Sequence, residues 1–326
     1  MPRISKTKIK KFYKGKHIAI IGGLGFIGQN IANFLFNLNS KVTIIDRNIE
    51  KGTEKYKRNE CIIKKANKII STDITKNFDV LKEILKSNDI VVNLLGYRYD
   101  NIYESLNINC IFHLNFLELC RKIKTDCILV YIGSRLEYGY QKILPVKENV
   151  ALNPNTIYGI HKLIGEKYYL YFSKKYGIKV ICFRLTNPYG PYTNFENAKN
   201  VLNYLIFRAF KGNNIIIFGD GEQYKDPIYI EDAVQGILET VLNKKCYGEV
   251  FNLGYGKGYK FKDIAYKIME IINPDIRIIY NKKINPDDPS FIADISKIKK
   301  FTGWEPKIDF ERGLIITKKY LEKLCK

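Results

Sequence analysis

A tyrosine and a lysine stand four residues apart in IYGIHK, at Tyr158 and Lys162. On a helix, positions i and i+4 share a face, so the two side chains project together. A tyrosine hydroxyl titrates near 10 and is a poor base at neutral pH. A neighbouring ammonium favours the phenolate, which can then take a proton from an alcohol. Ser134, in VYIGSRLEYG, lies upstream and just past an expected strand end. Its hydroxyl can hydrogen-bond the same reacting oxygen. Y-x-x-x-K alone also describes an ordinary helix-surface pair. With the serine, the set becomes a candidate for oxidising an alcohol carbon, which requires a hydride acceptor beside it.

That acceptor has a candidate site near the N-terminus. IAIIGGLGFIG runs four apolar residues into glycines spaced G-x-x-G-x-x-G, at Gly22, Gly25 and Gly28. A strand, a glycine turn and an apolar helix start are the context of a dinucleotide fingerprint. Gly22 permits the tight turn, Gly25 lets the backbone approach a pyrophosphate, and Gly28 lets helix and strand touch. The pyrophosphate charge would be met by N–H groups of the first helical turn, around Phe26 and Ile27. A second strand-like run ends in Asp46, whose carboxylate can accept from an adenosine ribose and repels a 2′-phosphate, favouring NAD over NADP. The adjacent Arg47 weakens that preference, because arginine can hold a phosphate.

The scaffold that positions these residues follows from the rhythm of the chain. Strand-like runs at His17–Ile21, Lys41–Ile45, Asp89–Leu94, Asp126–Ile132 and Lys179–Arg184 alternate with helical spacing at Phe26–Leu38, Leu106–Lys122 and Tyr158–Tyr176. Short continuous apolar strands between helices predict an α/β fold, a doubly wound parallel sheet of Rossmann type. After Asn187 the rhythm breaks into Gly, Pro and Asn-rich sequence around a helix near Val201–Lys211. A helix near Ile230–Leu242, a strand near Gly248–Leu253 and a tail with a strand near Ile276–Tyr280 follow. The expected organisation is a nucleotide domain over 1–186 with a return segment at 226–254. A smaller C-terminal α/β substrate lobe would comprise 187–225 and 255–326.

Taken in order, these motifs resemble one family across nearly the whole chain. The series runs GGLGFIG, STDIT, VVNLLG, NFLELC, SRLEYG, IYGIHKLIGEKY, FRLTNPYGPY, FGDGEQYKDPIYIED, FNLGYGKG and DISKIKKFTGWEP. The chain is similar to the extended short-chain dehydrogenases/reductases, in their NAD-dependent nucleotide-sugar epimerase/dehydratase branch. The resemblance implies a nucleotide-diphosphate sugar as substrate and NAD as cofactor. It implies that Asp73 and Ile74 contact adenine and that Asn93–Gly96, with Leu94 and Gly96 foremost, line the cofactor. Asn109 would support that site and Leu185 would approach the nicotinamide. Ser134, Arg135, Tyr158, Asn187, Val201 and Lys225 would form the substrate side. Relatives also pair two helices across a dyad. Here Phe112, Leu114 and Phe116, and Tyr168, Tyr169, Tyr171 and Phe172, give the matching helices apolar residues for a homodimer or for an aromatic-rich core.

Departures from the pattern bear on the reaction. Dehydratases and decarboxylases of this kind carry an acid two residues before the tyrosine of the Y-G pair, and here that position is Leu136. Leucine moves no protons, so 4,6-dehydration is disfavoured. Glu137 is one residue off, on a side that the sequence leaves open. C4 epimerisation through a transient 4-keto sugar leads, and a 4-ketoreductase is the alternative. Lys225 stands where relatives carry arginine, which keeps the charge and loses the bidentate fork. NPDDP at Asn285–Pro289 lacks their second arginine, for which Lys282 or Lys283 could substitute. Arg135 could reach the substrate or support its loop. His161 is expected on the helix surface.

Composition sets the remaining bounds. The 326 residues carry a formal charge of +21, which raises a nucleic-acid binder as a rival reading. The lysines are spread along the whole chain without an aromatic-interleaved basic repeat, so attraction of an anionic small substrate is preferred. Seven cysteines, none in a C-x-x-C pair, suit reduced thiols in the cytoplasm. Three histidines without ligand spacing give no metal site. No apolar run approaches a membrane span, and the basic N-terminus lacks the apolar core of a signal peptide.

Overall fold

The computed structural model describes residues 4–97, 101–196, 198–283 and 289–324. Cys325 and residues 285–288 of the NPDDP stretch lie outside the described residues. Seven strands form one parallel sheet: β1 (His17–Ile21), β2 (Lys41–Asp46), β3 (Lys68–Ser71), β4 (Ile90–Asn93), β5 (Ile128–Ser134), β6 (Val180–Leu185) and β7 (Glu249–Leu253). Their order is β7-β6-β5-β4-β1-β2-β3. β1 lies between β2 and β4, with Ala19 opposite Thr43 and Val91. The strand order reverses there, and the crevice beyond those C-terminal ends is where such sheets hold ligands.

Successive residues point to opposite faces, and both faces are dry. Ile20, Ile44, Val92 and Val130 pack on one side, and Ala19, Ile45, Val91 and Leu129 on the other. This explains why the strands read as unbroken apolar runs rather than alternating ones. The covering helices are α1 (Lys6–Tyr13), α2 (Phe26–Asn37), α3 (Glu54–Lys65), α4 (Phe78–Ser87), α5 (Ile102–Leu106), α6 (Phe112–Ile123) and α7 (Ile157–Tyr176). They continue with α8 (Val201–Phe210), α9 (Ile230–Val241), α10 (Phe261–Ile272), α11 (Ser296–Thr302) and α12 (Phe310–Leu324).

Three stretches differ from the sequence expectation. The basic N-terminus forms α1, capped by Ser5, with Ile9 and Tyr13 buried and the Tyr13 hydroxyl donating to Leu238 O at 2.9 Å. The segment expected as a single helix over 106–122 begins at Ile102 and passes through a π-helical turn, Asn107–Ile111. Such turns recur at functional sites. The interval after Asp46 holds α3, β3 and α4, where periodicity gave no assignment.

A second apolar core, around Leu205, Ile206, Ile264, Ile268 and Leu314, lies between α8, α10 and α12. Strand Ile215–Phe218 pairs there in parallel with Ile278–Asn281. Two short pairs stitch this lobe to the sheet: Pro227–Tyr229 with Asn187–Tyr189, and Tyr224–Lys225 with Tyr259–Lys260. Lys225 and Asn187 are thereby drawn to the mouth of the crevice.

Candidate active site

β5 ends at Ser134, and the chain turns at once into a short 3-10 helix, Arg135–Glu137. Two bonds set this turn. Ser134 Oγ accepts from Leu136 N at 3.2 Å, and Ser134 N donates to Glu137 Oε1 at 2.6 Å. The serine hydroxyl proton is left to donate elsewhere. Tyr158 and Lys162 sit in the first turns of α7, which Thr156 caps through Gly159 N. Lys162 is 3% exposed; its ammonium donates to Ile132 O at 2.8 Å and Leu95 O at 3.2 Å. It lies 6.0 Å from the centre of the Tyr158 ring. Burial lowers the Lys162 pKa to about 8, partly offset by Glu137. The sequence pair therefore shares a face as expected, held by carbonyls of β5 and of the loop after β4.

That loop brings in Gly96. A Cβ at this position would stand 3.2 Å from Lys162 Nζ and 3.7 Å from the Tyr158 hydroxyl, so only glycine leaves the approach open. Asn109, in the π turn, holds the loop from behind: its Oδ1 accepts from Tyr97 N at 3.0 Å and its Nδ2 donates to Tyr97 O at 2.8 Å. Asn109 is wholly buried, so what it does is position the loop. His161 corrects an expectation. It is 7% exposed rather than on the surface, and its Nδ1 lies 2.8 Å from Ser105 Oγ, because the turn of α7 carrying it packs on α5.

The glycine loop fits a dinucleotide. Gly22 takes a left-handed φ of 77°, and no side chain caps the start of α2. A Cβ on Gly28 would meet Gly22 O and Gly23 Cα at 2.7 Å, which would wedge helix from turn. Phe26 and Ile27 begin that helix. Asp46, at the end of β2, accepts from Leu24 N at 2.9 Å and pairs with Lys55 at 2.7 Å. Lys55 also donates to the carbonyl of Arg47. Nothing in the sequence singled out Lys55, one lysine among many on an unforeseen helix. Asp73 and Ile74 follow β3; Asp73 Oδ1 accepts from Thr75, and Ile74 is buried.

A chamber of about 530 Å³ opens over these strand ends. Leu94, Gly96, Ser134, Arg135, Leu136, Tyr158, Lys162 and Leu185 line it from the sheet side, and Asn187, Val201 and Lys225 from the lobe. All of the expected substrate-side residues thus meet in one cavity. Thr186, which sequence reasoning missed, joins them: its buried hydroxyl and the Asn187 side-chain oxygen have no hydrogen-bond partner among the described residues. Buried polar atoms are ordinarily paired, so these two mark where a polar ligand would bind.

Glu137 faces the other way. Fully buried behind the serine, it lies 3.6 Å from Arg184, which holds Glu166 through a bidentate pair at 2.7 and 2.8 Å. Burial and the Glu166 charge push its pKa well up. No aspartate or glutamate lines the chamber among the described residues. The arrangement can accept a proton from an alcohol, hold its oxygen and admit a dinucleotide.

The profile of the NAD dependent epimerase/dehydratase family matches residues 18–254. The chain belongs to that family. Membership makes NAD the cofactor and the chain an NAD-dependent sugar-modifying enzyme of the extended short-chain dehydrogenase/reductase type. A putative UDP-glucose 4-epimerase of Methanocaldococcus jannaschii is 30% identical over 304 residues, covering 91% of this chain and 95% of its own. The solved UDP-glucose 4-epimerase of Thermotoga maritima, with UDP-glucose, superposes with a TM-score of 0.85 at 27% identity, over 95% of this chain and 100% of that one. The UDP-glucuronic acid 4-epimerase of Bacillus cereus, with UDP-glucuronic acid and NAD, gives 0.83 at 26%, over 94% and 99%. Among the described residues no helix is long and apolar enough to cross a membrane.

Proposed function

We propose that this family member is a nucleotide-sugar epimerase that inverts C4 through a transient 4-keto sugar. The observation that carries the reading is the meeting of Ser134, Tyr158 and Lys162 in a chamber with no carboxylic acid on its described walls. Tyr158 takes the proton of the 4-hydroxyl and later returns it. Ser134 donates a hydrogen bond to the same oxygen, and the Lys162 ammonium favours the phenolate. Bound NAD supplies a reversible hydride acceptor for the sugar carbon. Inversion would require the transient ketone to turn over within the chamber while Ser134 and Tyr158 keep hold of its oxygen. Gly22, Gly25, Phe26, Ile27, Gly28 and Asp46 would hold the cofactor, with Leu94, Gly96 and Leu185 lining its reactive end. Asn187, Val201 and Lys225 would receive the nucleotide diphosphate.

With Leu136 lining the wall and Glu137 turned to Arg184, elimination across C5–C6 lacks its proton carrier. Incubation with UDP-, GDP-, CDP- and dTDP-sugars without added cofactor, followed by NMR, tests the reading. A stereoisomer formed by the wild type and not by Tyr158→Phe supports it. Conversion only of a 4-keto sugar with added NADPH would replace it with a reductase.

The working unit is proposed to be a homodimer. Of the aromatic and apolar residues expected on the two helices, Phe112, Phe116, Tyr169 and Phe172 are buried in the core, because their helix faces pack on the sheet, and only Tyr171 is exposed; with exposed Ile102, Tyr103, Ile111, Ile157 and Ile160 it supports a shared apolar face. A monomeric mass by light scattering at micromolar concentration would refute it. The six described cysteines are all unpaired thiols, which suits a reducing compartment such as the cytoplasm.

A further inference from the structure

The far end of the glycine loop, at the close of β2, holds its acid in an unusual setting. In sheets of this kind the acid at that strand end faces the 2′-oxygen of the adenosine ribose. It accepts from the hydroxyl of NAD and repels the phosphate that NADP carries there. Both effects need an uncommitted carboxylate, and Asp46 is not one. Its Oδ1 accepts from Arg47 N at 2.9 Å and from the Lys55 ammonium at 2.7 Å, and its Oδ2 accepts from Leu24 N at 2.9 Å. A carboxylate offers about four lone-pair sites, so these donors leave it roughly one.

The local chain explains how the lysine comes to lie there. After Asp46 the backbone turns through Asn48, in the left-handed region at φ 59°, and Ile49 N donates to Ser71 Oγ at 2.9 Å. Thr53 caps α3, so Lys55, in the first turn of that helix, reaches back to Asp46 and donates as well to the Arg47 carbonyl. The Lys55 and Asp46 side chains are 28% and 14% exposed, so their charges offset one another more fully than those of a surface pair. Beside them the Arg47 side chain stands exposed on the turn, and a nearby arginine is the group that accommodates a 2′-phosphate. One carboxylate against one ammonium and one guanidinium leaves this strand end net positive.

We infer that this strand end admits the 2′-phosphate of NADP as well as the free hydroxyl of NAD, with Lys55 as the residue that sets the tolerance. Lys55 neutralises the carboxylate that would otherwise repel the phosphate. An ammonium has three N–H groups, and with two of them on Asp46 and the Arg47 carbonyl, one is left to donate to the phosphate. NAD keeps the remaining lone pair of Asp46 for its hydroxyl. The inference rests on the cofactor placement proposed above and is independent of which sugar is turned over.

Calorimetric titration of the full chain, freed of co-purified nucleotide, with NAD, NADP, ADP-ribose and 2′-phospho-ADP-ribose tests this. NADP is expected to bind within about 10-fold of NAD, and the two fragments to show the same ratio, because each pair differs only at the 2′-oxygen. Lys55→Met uncovers the Asp46 charge, so it should weaken NADP by about 10-fold or more and NAD by less than about 3-fold. Adding Asp46→Asn to Lys55→Met removes that charge and should recover part of the NADP loss. Lys8→Gln with Lys10→Gln takes two charges from the exposed side of α1 and should leave the ratio unchanged, which separates a local effect from the general pull of a chain of charge +21. Melting curves establish that each variant is folded. A NADP/NAD ratio that folded Lys55→Met leaves unchanged, or that the α1 variant shifts as far, would overturn the assignment to Lys55. A loss that Asp46→Asn does not relieve would overturn neutralisation of Asp46 as its cause. NAD bound with NADP more than about 10-fold weaker would overturn the inference and leave the cofactor placement standing. Binding of neither would refute both.

Discussion

The two walls of the chamber are built on different principles. The sheet wall takes Ser134 from the end of a seven-residue strand, and Tyr158 and Lys162 from a 20-residue helix packed on it. The lobe wall takes Asn187 and Lys225 from strands of three and two residues, and Val201 from the first turn of a ten-residue helix. Chemistry needs a proton carrier and a hydride acceptor held to fractions of an ångström, which a buried sheet with its flanking helices provides. Recognition needs shape and charge, which short pairs and loops vary without disturbing the sheet. The difference teaches where to expect each kind of failure: changes on the sheet wall should lower turnover, and changes on the lobe wall should raise KM.

The largest effect that would break this division is at Tyr158. Tyr158→Phe keeps the ring and removes the proposed acid/base group, so kcat should fall by about 10³-fold with the melting temperature little changed. A loss seen mainly in KM would place Tyr158 in recognition instead. Next comes the glycine loop. Gly28→Ala puts a methyl 2.7 Å from the backbone of Gly22 and Gly23, and overpacking of this kind destabilises by about 1–3 kcal/mol. Denaturant unfolding and NAD titration of the same sample should both register it.

The lobe wall gives a smaller effect of the other kind. Lys225→Met removes one positive charge from the proposed diphosphate subsite and should raise KM by about 10-fold, with the larger share of the change in KM rather than kcat. Initial-rate kinetics decide it; a fall in kcat alone would contradict the division. The smallest effect is in the pH dependence of stability. Buried Lys162 titrates at about 8 in the folded chain and near 10.5 when unfolded. Between those values the unfolded chain binds more protons, so this residue's contribution to unfolding free energy rises with pH through that window. Cofactor-free wild type should therefore gain stability relative to Lys162→Met from pH 8 to 10.5, measured by urea unfolding.

The same contrast governs what could be read before folding. HIAII followed by glycines, and VVN, ILVYIGS and VICFRL at their intervals, announce a parallel sheet because buried strands carry their signal within a few residues. The Ser134, Tyr158 and Lys162 set was legible because each stands at a strand end or on a helix face fixed by local spacing. α1 was hidden because Ile9, Phe12 and Tyr13 are embedded among lysines, and its anchor, Leu238 O, lies 225 residues away. Ile215–Phe218 escaped because a four-residue strand with alternating burial needs its partner at Ile278–Asn281 to declare it. The direction of Glu137, the pairing of Lys55 with Asp46 and the burial of His161 against Ser105 are likewise facts of packing. Each depends on a neighbour that only the folded chain supplies.

The central claim is that hydride leaves and returns at one sugar carbon while Tyr158 handles only the hydroxyl proton. The most direct measurement is conversion of a nucleotide sugar in D2O by the enzyme with its own NAD, with the product read by proton and deuterium NMR. The account predicts a stereoisomer inverted at C4 with no deuterium on any ring carbon, because a hydride held on the cofactor does not exchange with solvent. Deuterium at C3 or C5 would show that a carbon-bound proton is removed, and that result would contradict it.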